Sequence, residues 1–245
     1  MVIFMGNEKN ILVIIPAYNE EGSVGKVVED VKTHLPQIDT LVVNDGSSDL
    51  TSEIARSRGA IVLDLPFNLG IGGAMQAGYK YAYEKGYDIA IQVDGDGQHE
   101  PSEIPKLLRA LEEGNVDVAM GSRFIGDSQY KTSVMRRLGS LILSKAISMV
   151  VGQKLTDPTS GFRAANRRAI QLFSANYPQD YPEPEAMVLL HRCGLTMKEI
   201  PAKINQRYSG ESSITTIRSI YYMVKVLLAI FVDCFKKRPA LKTGG

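Results

Sequence analysis

The first half of the chain alternates short apolar runs with segments of helical period. NILVIIP (10–16) is apolar almost throughout, the pattern of a strand covered on both faces. Over 23–34, Val24, Val27, Val28 and Val31 recur at helical spacing on one face. TLVVND (40–45) reads as a second strand, and SSDLTSEIARSRG (47–59) then offers Ser or Asp caps and a closing Gly59, the punctuation of a helix. AIVLDL (60–65) is a third strand; a glycine-rich loop and a helix over 73–85 lead to a fourth, over 87–93. In PSEIPKLLRALEEG (101–114), Ile104, Leu107, Leu108 and Leu111 fall at i, i+3, i+4 and i+7, ended by Gly114, and DVAMGS (117–122) is a fifth strand. This alternation predicts an α/β fold with a mostly parallel sheet flanked by helices.

Beyond residue 130 the pattern changes. A long apolar helix (133–151) precedes a loop, GQKLTDPTSGFRAANRR (152–168), and YPQDYPEPEAMVLLHRCG (177–194) joins a proline-rich turn to a helix. This half reads as an elaboration packed on the first. Residues 219–235 are mostly apolar but interrupted or bordered by Arg218, Lys225 and Asp233, at the short limit for a membrane span. The expectation is a C-terminal amphipathic helix lying on a membrane surface through Ile220, Met223, Val224, Leu227, Leu228 and Phe231, with Lys236, Lys237 and Arg238 attracted to anionic lipid. A core or oligomer-interface helix is the competing reading. The division is therefore 1–211 for the main domain and 212–245 for the helix and tail.

Composition narrows the partners. With 245 residues, 28 basic against 27 acidic and a net charge of +1, the chain is long enough for a substantial core and gives no reason to expect nucleic acid. Two cysteines, Cys193 and Cys234, are too few for a zinc site and suit reduced thiols in a cytoplasmic protein. The N-terminal MVIFMGNEKN does not read as a signal peptide.

Open α/β sheets place their sites at the carboxyl ends of the strands, and polar clusters sit there: Tyr18-Asn19-Glu20, Asn44-Asp45-Gly46, Asp94-Gly95-Asp96 and Gly121-Ser122-Arg123. In IQVDGDGQHEP (91–101) an acid pair flanks one glycine. In extended conformation i and i+2 point to one side, so Asp94 and Asp96 can approach one cation, and two hard oxygen ligands suit Mg²⁺ or Mn²⁺. An EF-hand is excluded, because its positions 6 and 12 would be His99 and Pro105. An aspartyl-nucleophile phosphatase does not fit a pair on the fourth strand, and a solvated Asp-Gly turn remains the plain alternative. NLGIGGAMQAG (68–78) imitates a dinucleotide fingerprint, but Met75 replaces its third glycine and it precedes the fourth strand rather than following the first. Gly70, Gly72 and Gly73 instead permit close backbone approach to a ligand or shape a turn. His99 and His191 read as polar loop and helix residues.

Taken in order, IPAYNEE, VVNDGSSDLT, NLGIGGA, QVDGDGQHEP, GSRF and DPTSGFRA resemble the motifs of family-two inverting glycosyltransferases with a GT-A fold, closest to polyprenyl-phosphate sugar transferases of the dolichyl-phosphate mannose synthase type, over roughly residues 10–210. The resemblance implies a nucleotide-diphosphate sugar as donor, UDP-linked by preference and GDP-mannose otherwise, a divalent metal at Asp94, Asp96 and Gln98, and a polyprenyl phosphate as acceptor. It places Pro16, Ala17, Tyr18 and Glu20 around the nucleoside, Asp45 at the base edge, Gly70 and Asp94 on the donor, and Arg123 and Arg207 beside the phosphates. Asp157 falls where this group has an aspartate facing the acceptor. A phosphate acceptor is already anionic, so Asp157 there orients cations such as Arg136, Arg137 or Arg163, whereas a hydroxyl acceptor needs a base. Glu183 and Glu185 lie near where hydroxyl-glycosylating relatives carry that base, but depart from their usual acidic pair. Transfer to a glycan hydroxyl in cell-wall assembly is the nearest alternative; a non-catalytic nucleotide-sugar-binding scaffold is the alternative of another class. The expected location is the cytoplasmic face of the membrane, with a second copy or a small membrane protein as possible partner.

Overall fold

A computed structural model describes residues 9–126, 134–203 and 216–235, apart from the side chains of 134–136, 216–222, 233 and 234. The elements run β1 (Ile11–Ala17), α1 (Val24–His34), β2 (Asp39–Asn44), α2 (Thr51–Ser57), β3 (Ile61–Asp64), α3 (Gly70–Glu84), β4 (Ile89–Gln92), α4 (Ile104–Glu113), β5 (Val118–Ser122), α5 (Val134–Val151), β6 (Arg163–Asn166), α6 (Arg167–Ala175), α7 (Pro182–Arg192), β7 (Met197–Pro201) and α8 (Thr216–Phe235). They form one seven-stranded sheet in the order β3-β2-β1-β4-β6-β5-β7. Strands β3, β2, β1 and β4 are parallel, β5 and β7 are parallel to each other, and β6 runs antiparallel to both of its neighbours.

The apolar runs of β1 and β2 follow from burial on both faces. Leu12, Ile14, Leu41 and Val43 pack with Met75, Tyr79 and Phe173 on the α3/α6 side, while Val13, Ile15 and Val42 pack with Val24, Val28, Leu107 and Leu108 on the α1/α4 side. The mostly parallel sheet is as expected from the sequence.

Three local expectations need correction. Helix α3 begins at Gly70 rather than 73, so the glycine-rich segment forms its first turn. The segment read as a loop over 152–168 contains β6 and the start of α6, capped by Asn166, whose Oδ1 accepts from Ala169 N at 3.0 Å. Four residues, RAAN, are too short for alternation to reveal a strand buried between two others. Finally, β4 ends at Gln92 and Gly95-Asp96 lie in a turn, so strand pleating is not what orients the acid pair.

Helix α8 packs against α5 and α7. Val226 and Ile230 are buried in the core and Leu227 packs partly against it, so this face, with Met223 beside Gly139 of α5, is turned to protein rather than outward. Val224, Leu228, Phe231 and Phe235 are exposed at helical spacing on the other side. Ile220, Lys236, Lys237 and Arg238 lie outside the described residues or side chains. No helix among the described residues is long and apolar enough to cross a membrane.

Candidate active site

The ends of β1 and β2 are joined by main-chain hydrogen bonds to side chains. Asn19 N donates to Ser47 Oγ (2.9 Å), Ser48 N donates to Asn19 Oδ1 (2.9 Å) and Glu20 N donates to Thr51 Oγ1 (2.8 Å). Asn19 takes a left-handed conformation, φ 53°, which asparagine tolerates better than most residues. Glu20 Oε2 accepts from Ser23 Oγ, fixing the entry to α1. Pro16 and Ala17 are buried in β1, and half-exposed Tyr18 follows at its mouth.

Asp45 N donates to Ala17 O at 2.9 Å, which sets Asp45 beside the end of β1. Its carboxylate, almost wholly buried, accepts from Leu69 N (2.7 Å) and Gly70 N (2.9 Å), one oxygen each. Two N–H groups at the start of α3 are thereby satisfied, that of Gly70 being shared with Asn68 Oδ1 at 2.9 Å. Asp45, expected at a base edge, holds the Leu69–Gly70 end of the turn that opens α3 through its carboxylate and keeps lone pairs for a ligand.

The acid pair follows β4. A Cβ at Gly95 would stand 3.0 Å from Pro16 O, so the glycine between the acids lets this turn lie against β1. Asp96 Oδ1 accepts from Gln98 N at 3.0 Å. Asp94 is tied to His99, which is buried: Asp94 N donates to His99 Nδ1 at 3.0 Å, and His99 Nε2 stands 3.5 Å from Asp94 Oδ2. Among the described residues, no group of three or more His, Cys, Asp and Glu gathers to hold a metal. Two carboxylates and the Gln98 amide in one turn are an oxygen donor set, and Asp94 keeps about a third of its side chain open. That set fits a small hard cation which completes its shell with water and phosphate, and it does not fit zinc.

Across β4, Asp157 is fully buried and both its oxygens are engaged by Arg123. Arg123 Nε donates to Oδ2 (2.7 Å), Nη2 donates to Oδ1 (2.6 Å) and the Arg123 backbone N donates to Oδ2 (3.0 Å). Among the described side chains, the cation that Asp157 orients is thus Arg123 rather than Arg137 or Arg163. Glu199 on β7 fixes the loop from below, accepting from Asp157 N (2.8 Å), Thr156 N (2.7 Å) and Thr156 Oγ1 (2.9 Å). The sequence reading missed Glu199; KEIP carries no motif that would single it out.

Arg163 is the buried first residue of β6, paired in register with Gln92 of β4. Its Nε donates to Ser160 O and its Nη2 to Glu183 O, both at 2.8 Å, so it ties the 157–163 loop to α7, and burial keeps it from meeting an acceptor at the surface. The half-buried Glu183 carboxyl is held above its ordinary range, chiefly by loss of water, with Asp94 adding to the rise and Arg163 opposing it. Glu185 is buried. Arg137 stands exposed in the first turn of α5. The side chain of Arg136, and all of Arg207, lie outside the described set.

Gly161 closes the circuit: a Cβ there would stand 2.8 Å from Gln92 Nε2 and 2.9 Å from Asp94 Oδ1, so the Asp157 loop lies directly against the acid turn. The structure therefore brings Ala17, Asp45, the Asp94–Gln98 turn and the Arg123–Asp157 pair into one continuous surface.

The family model of glycosyl transferase family 2 matches residues 12–173. An undecaprenyl-phosphate mannosyltransferase from Micrococcus luteus is 32% identical over 214 residues, covering 84% of this chain and 87% of the relative. A UDP-N-acetylglucosamine–dolichyl-phosphate N-acetylglucosaminyltransferase from Methanococcus voltae is 31% identical over 250 residues, covering 92% and 99%. Among solved structures, glucosyl-3-phosphoglycerate synthase from Mycobacterium tuberculosis, crystallised with Mn²⁺, UDP and glucosyl-3-phosphoglycerate, shares the fold with a TM-score of 0.71 at 20% identity, covering 92% of this chain and 80% of that one. Motifs, sheet and relatives agree: the chain belongs to glycosyl transferase family 2 and is a GT-A glycosyltransferase of the dolichyl-phosphate mannose synthase type.

Proposed function

We propose that the protein transfers a hexose from a nucleotide-diphosphate sugar, UDP-linked by preference, to a polyprenyl phosphate at the cytoplasmic face of a membrane, with inversion and with a divalent metal. The observation that carries the acceptor choice is the state of Asp157. A fully buried carboxylate with both oxygens held by Arg123 is not placed to take a proton from an incoming hydroxyl. A phosphate monoester needs no such base.

One acceptor phosphate oxygen attacks the anomeric carbon as the bond from that carbon to the donor diphosphate breaks, and the nucleoside diphosphate departs with the electron pair. Asp94, Asp96 and Gln98 would hold the divalent cation, which when bound would supply charge stabilisation to that leaving group. Arg123, oriented by Asp157 and Thr159, adds a fixed positive charge on the side facing β4. Asp45 holds the glycine turn at the nucleotide side.

The membrane reading is supported by exposed apolar side chains on two packed helices: Leu138, Leu141, Ile142 and Met149 on α5, and Val224, Leu228, Phe231 and Phe235 on α8. A groove of about 300 Å³ between them is lined by Ala146, Met149, Val150, Leu227, Ile230 and Phe231. An apolar face with Arg137 and Lys225 exposed nearby suits an anionic bilayer.

A second reading, transfer to a glycan hydroxyl, is favoured by Glu183, whose carboxyl is shifted upward by burial, the direction that strengthens a carboxylate as a base. The experiment is incubation with labelled UDP-hexoses or GDP-mannose and either undecaprenyl phosphate or soluble glycan, with Mn²⁺ or with EDTA, followed by solvent extraction. Metal-dependent label in the organic phase supports the first reading. Label that stays with the glycan and is lost in Glu183→Gln supports the second, and label transferred undiminished in EDTA refutes the metal.

A further inference from the structure

We infer that His99 is a positioning residue for the metal site: through its two ring nitrogens it sets both the backbone and the carboxylate of Asp94. The inference rests on the reading of Asp94 as a metal ligand. Because Nδ1 accepts the Asp94 N–H at 3.0 Å, the ring carries its proton on Nε2 when neutral. That Nε2–H group lies 3.5 Å from Asp94 Oδ2, an electrostatic contact rather than a hydrogen bond. One imidazole thus engages two atoms of one residue, and turning the ring would release both.

The ring is itself held. His99 is 5% exposed and lies against Phe162, with ring centroids 5.0 Å apart. Phe162 is fully buried and a Cβ at Gly121 would stand 2.7 Å from its Cδ1, so it has no room to move toward β5. From the opposite side, Gly161 limits the Asp94 carboxylate, since a Cβ there would stand 2.9 Å from Oδ1. Asp94 therefore has His99 near Oδ2 and Gly161 against both oxygens, while about a third of its side chain stays open. Phe162 and Gly161 belong to the loop that carries Asp157. The same short segment thereby supports the acid turn on one side and the Arg123 clamp on the other.

A carboxylate fixed in this way approaches a cation without losing rotamer freedom on binding. Groups that orient metal ligands in this manner typically account for about 10- to 100-fold in metal affinity. His99→Phe keeps the ring against Phe162 and removes both nitrogens. His99→Gln keeps an acceptor and a donor on one planar group. Mn²⁺ is titrated into EDTA-treated protein in the presence of UDP, free Mn²⁺ being read by its electron paramagnetic resonance signal, with thermal unfolding measured on each variant. The expected result is an Mn²⁺ Kd about ten-fold higher for His99→Phe, with His99→Gln in between. Should His99→Phe fail to fold, His99→Gln carries the test, with an Mn²⁺ Kd expected about three-fold higher than wild type. An Mn²⁺ Kd within two-fold of wild type in the folded variant, or a loss in His99→Gln as large as in His99→Phe and matched by its loss of thermal stability, overturns the inference. If the wild-type protein binds no Mn²⁺ with UDP present, the metal reading itself fails, an outcome distinct from unchanged binding in the variants.

Discussion

At the ends of β1 and β2, side-chain acceptors are satisfied by neutral main-chain donors from an adjacent loop: Asp45 by Leu69 N and Gly70 N, Asn19 by Ser48 N, Asp49 by Thr51 N and Glu21 N. Beyond β4 the corresponding carboxylate, Asp157, is satisfied chiefly by a guanidinium, and the loop that carries it is suspended from a second acid, Glu199. The first arrangement is a set of caps, in which one side chain is lost at the cost of a hydrogen bond or two. The second is a buried charge pair, in which neither partner is removable alone without stranding the other. Donor-side substitutions should therefore separate activity from stability, and those that break the Arg123–Asp157 pair should damage both.

The sharpest separation is expected at Asp96. Asp96→Ala should lower metal-dependent turnover on the order of a thousand-fold, comparable to loss of a main charge-stabilising group, while the unfolding midpoint moves little. Removing one of two neighbouring acids also relieves repulsion. Steady-state kinetics with Mn²⁺ beside calorimetry checks both halves; a large fall in the midpoint would erase the contrast. Asp157→Asn should fail on both counts. Leaving Arg123 without its counter-charge should cost about 3 kcal/mol, and losing the fixed orientation of that arginine about a hundred-fold in turnover. Denaturant unfolding and kcat on the same preparation measure the pair.

At Asp45 the expected change is smaller. Asp45→Asn keeps one acceptor and replaces the other by a donor facing an N–H, which should cost about 1–2 kcal/mol and raise the donor KM more than it lowers kcat. The smallest effect tests the region beyond β4 from its acid side. Burial raises the Glu183 carboxyl in the folded chain, so the folded state holds this proton to higher pH than the unfolded state. Stability then falls as pH rises through the window above the ordinary value of 4.5. Glu183→Gln removes that loss: its unfolding midpoint should match wild type at the acid end and exceed it near neutral pH. A midpoint below wild type at neutral pH would mean that the carboxylate stabilises the fold.

This contrast also explains what could be read from the chain alone. Parallel strands covered on both faces declare themselves as continuous apolar runs, so β1, β2 and the sheet type were legible, and the polar residues that end those runs marked Tyr18, Asp45 and the acid turn. Strand β6 was not legible: it is four residues long, antiparallel between two neighbours, and begins with a buried arginine that any hydropathy pattern assigns to the surface. The partner of Asp157 was misassigned because 34 residues separate it from Arg123, and only the sheet brings them together. His99 was passed over as a polar loop residue for a related reason. Its role depends on which ring nitrogen meets the Asp94 amide, and spacing does not encode that.

The central claim is that the acceptor arrives as a phosphate anion because the aspartate beyond β4 is committed to Arg123. The most direct test compares undecaprenyl phosphate with undecaprenol, the same lipid bearing a hydroxyl, as acceptors from one labelled nucleotide sugar in the presence of Mn²⁺. The account predicts label on the phosphate and none on the alcohol. Transfer to the alcohol at a comparable rate would require a working base in the site and would contradict it.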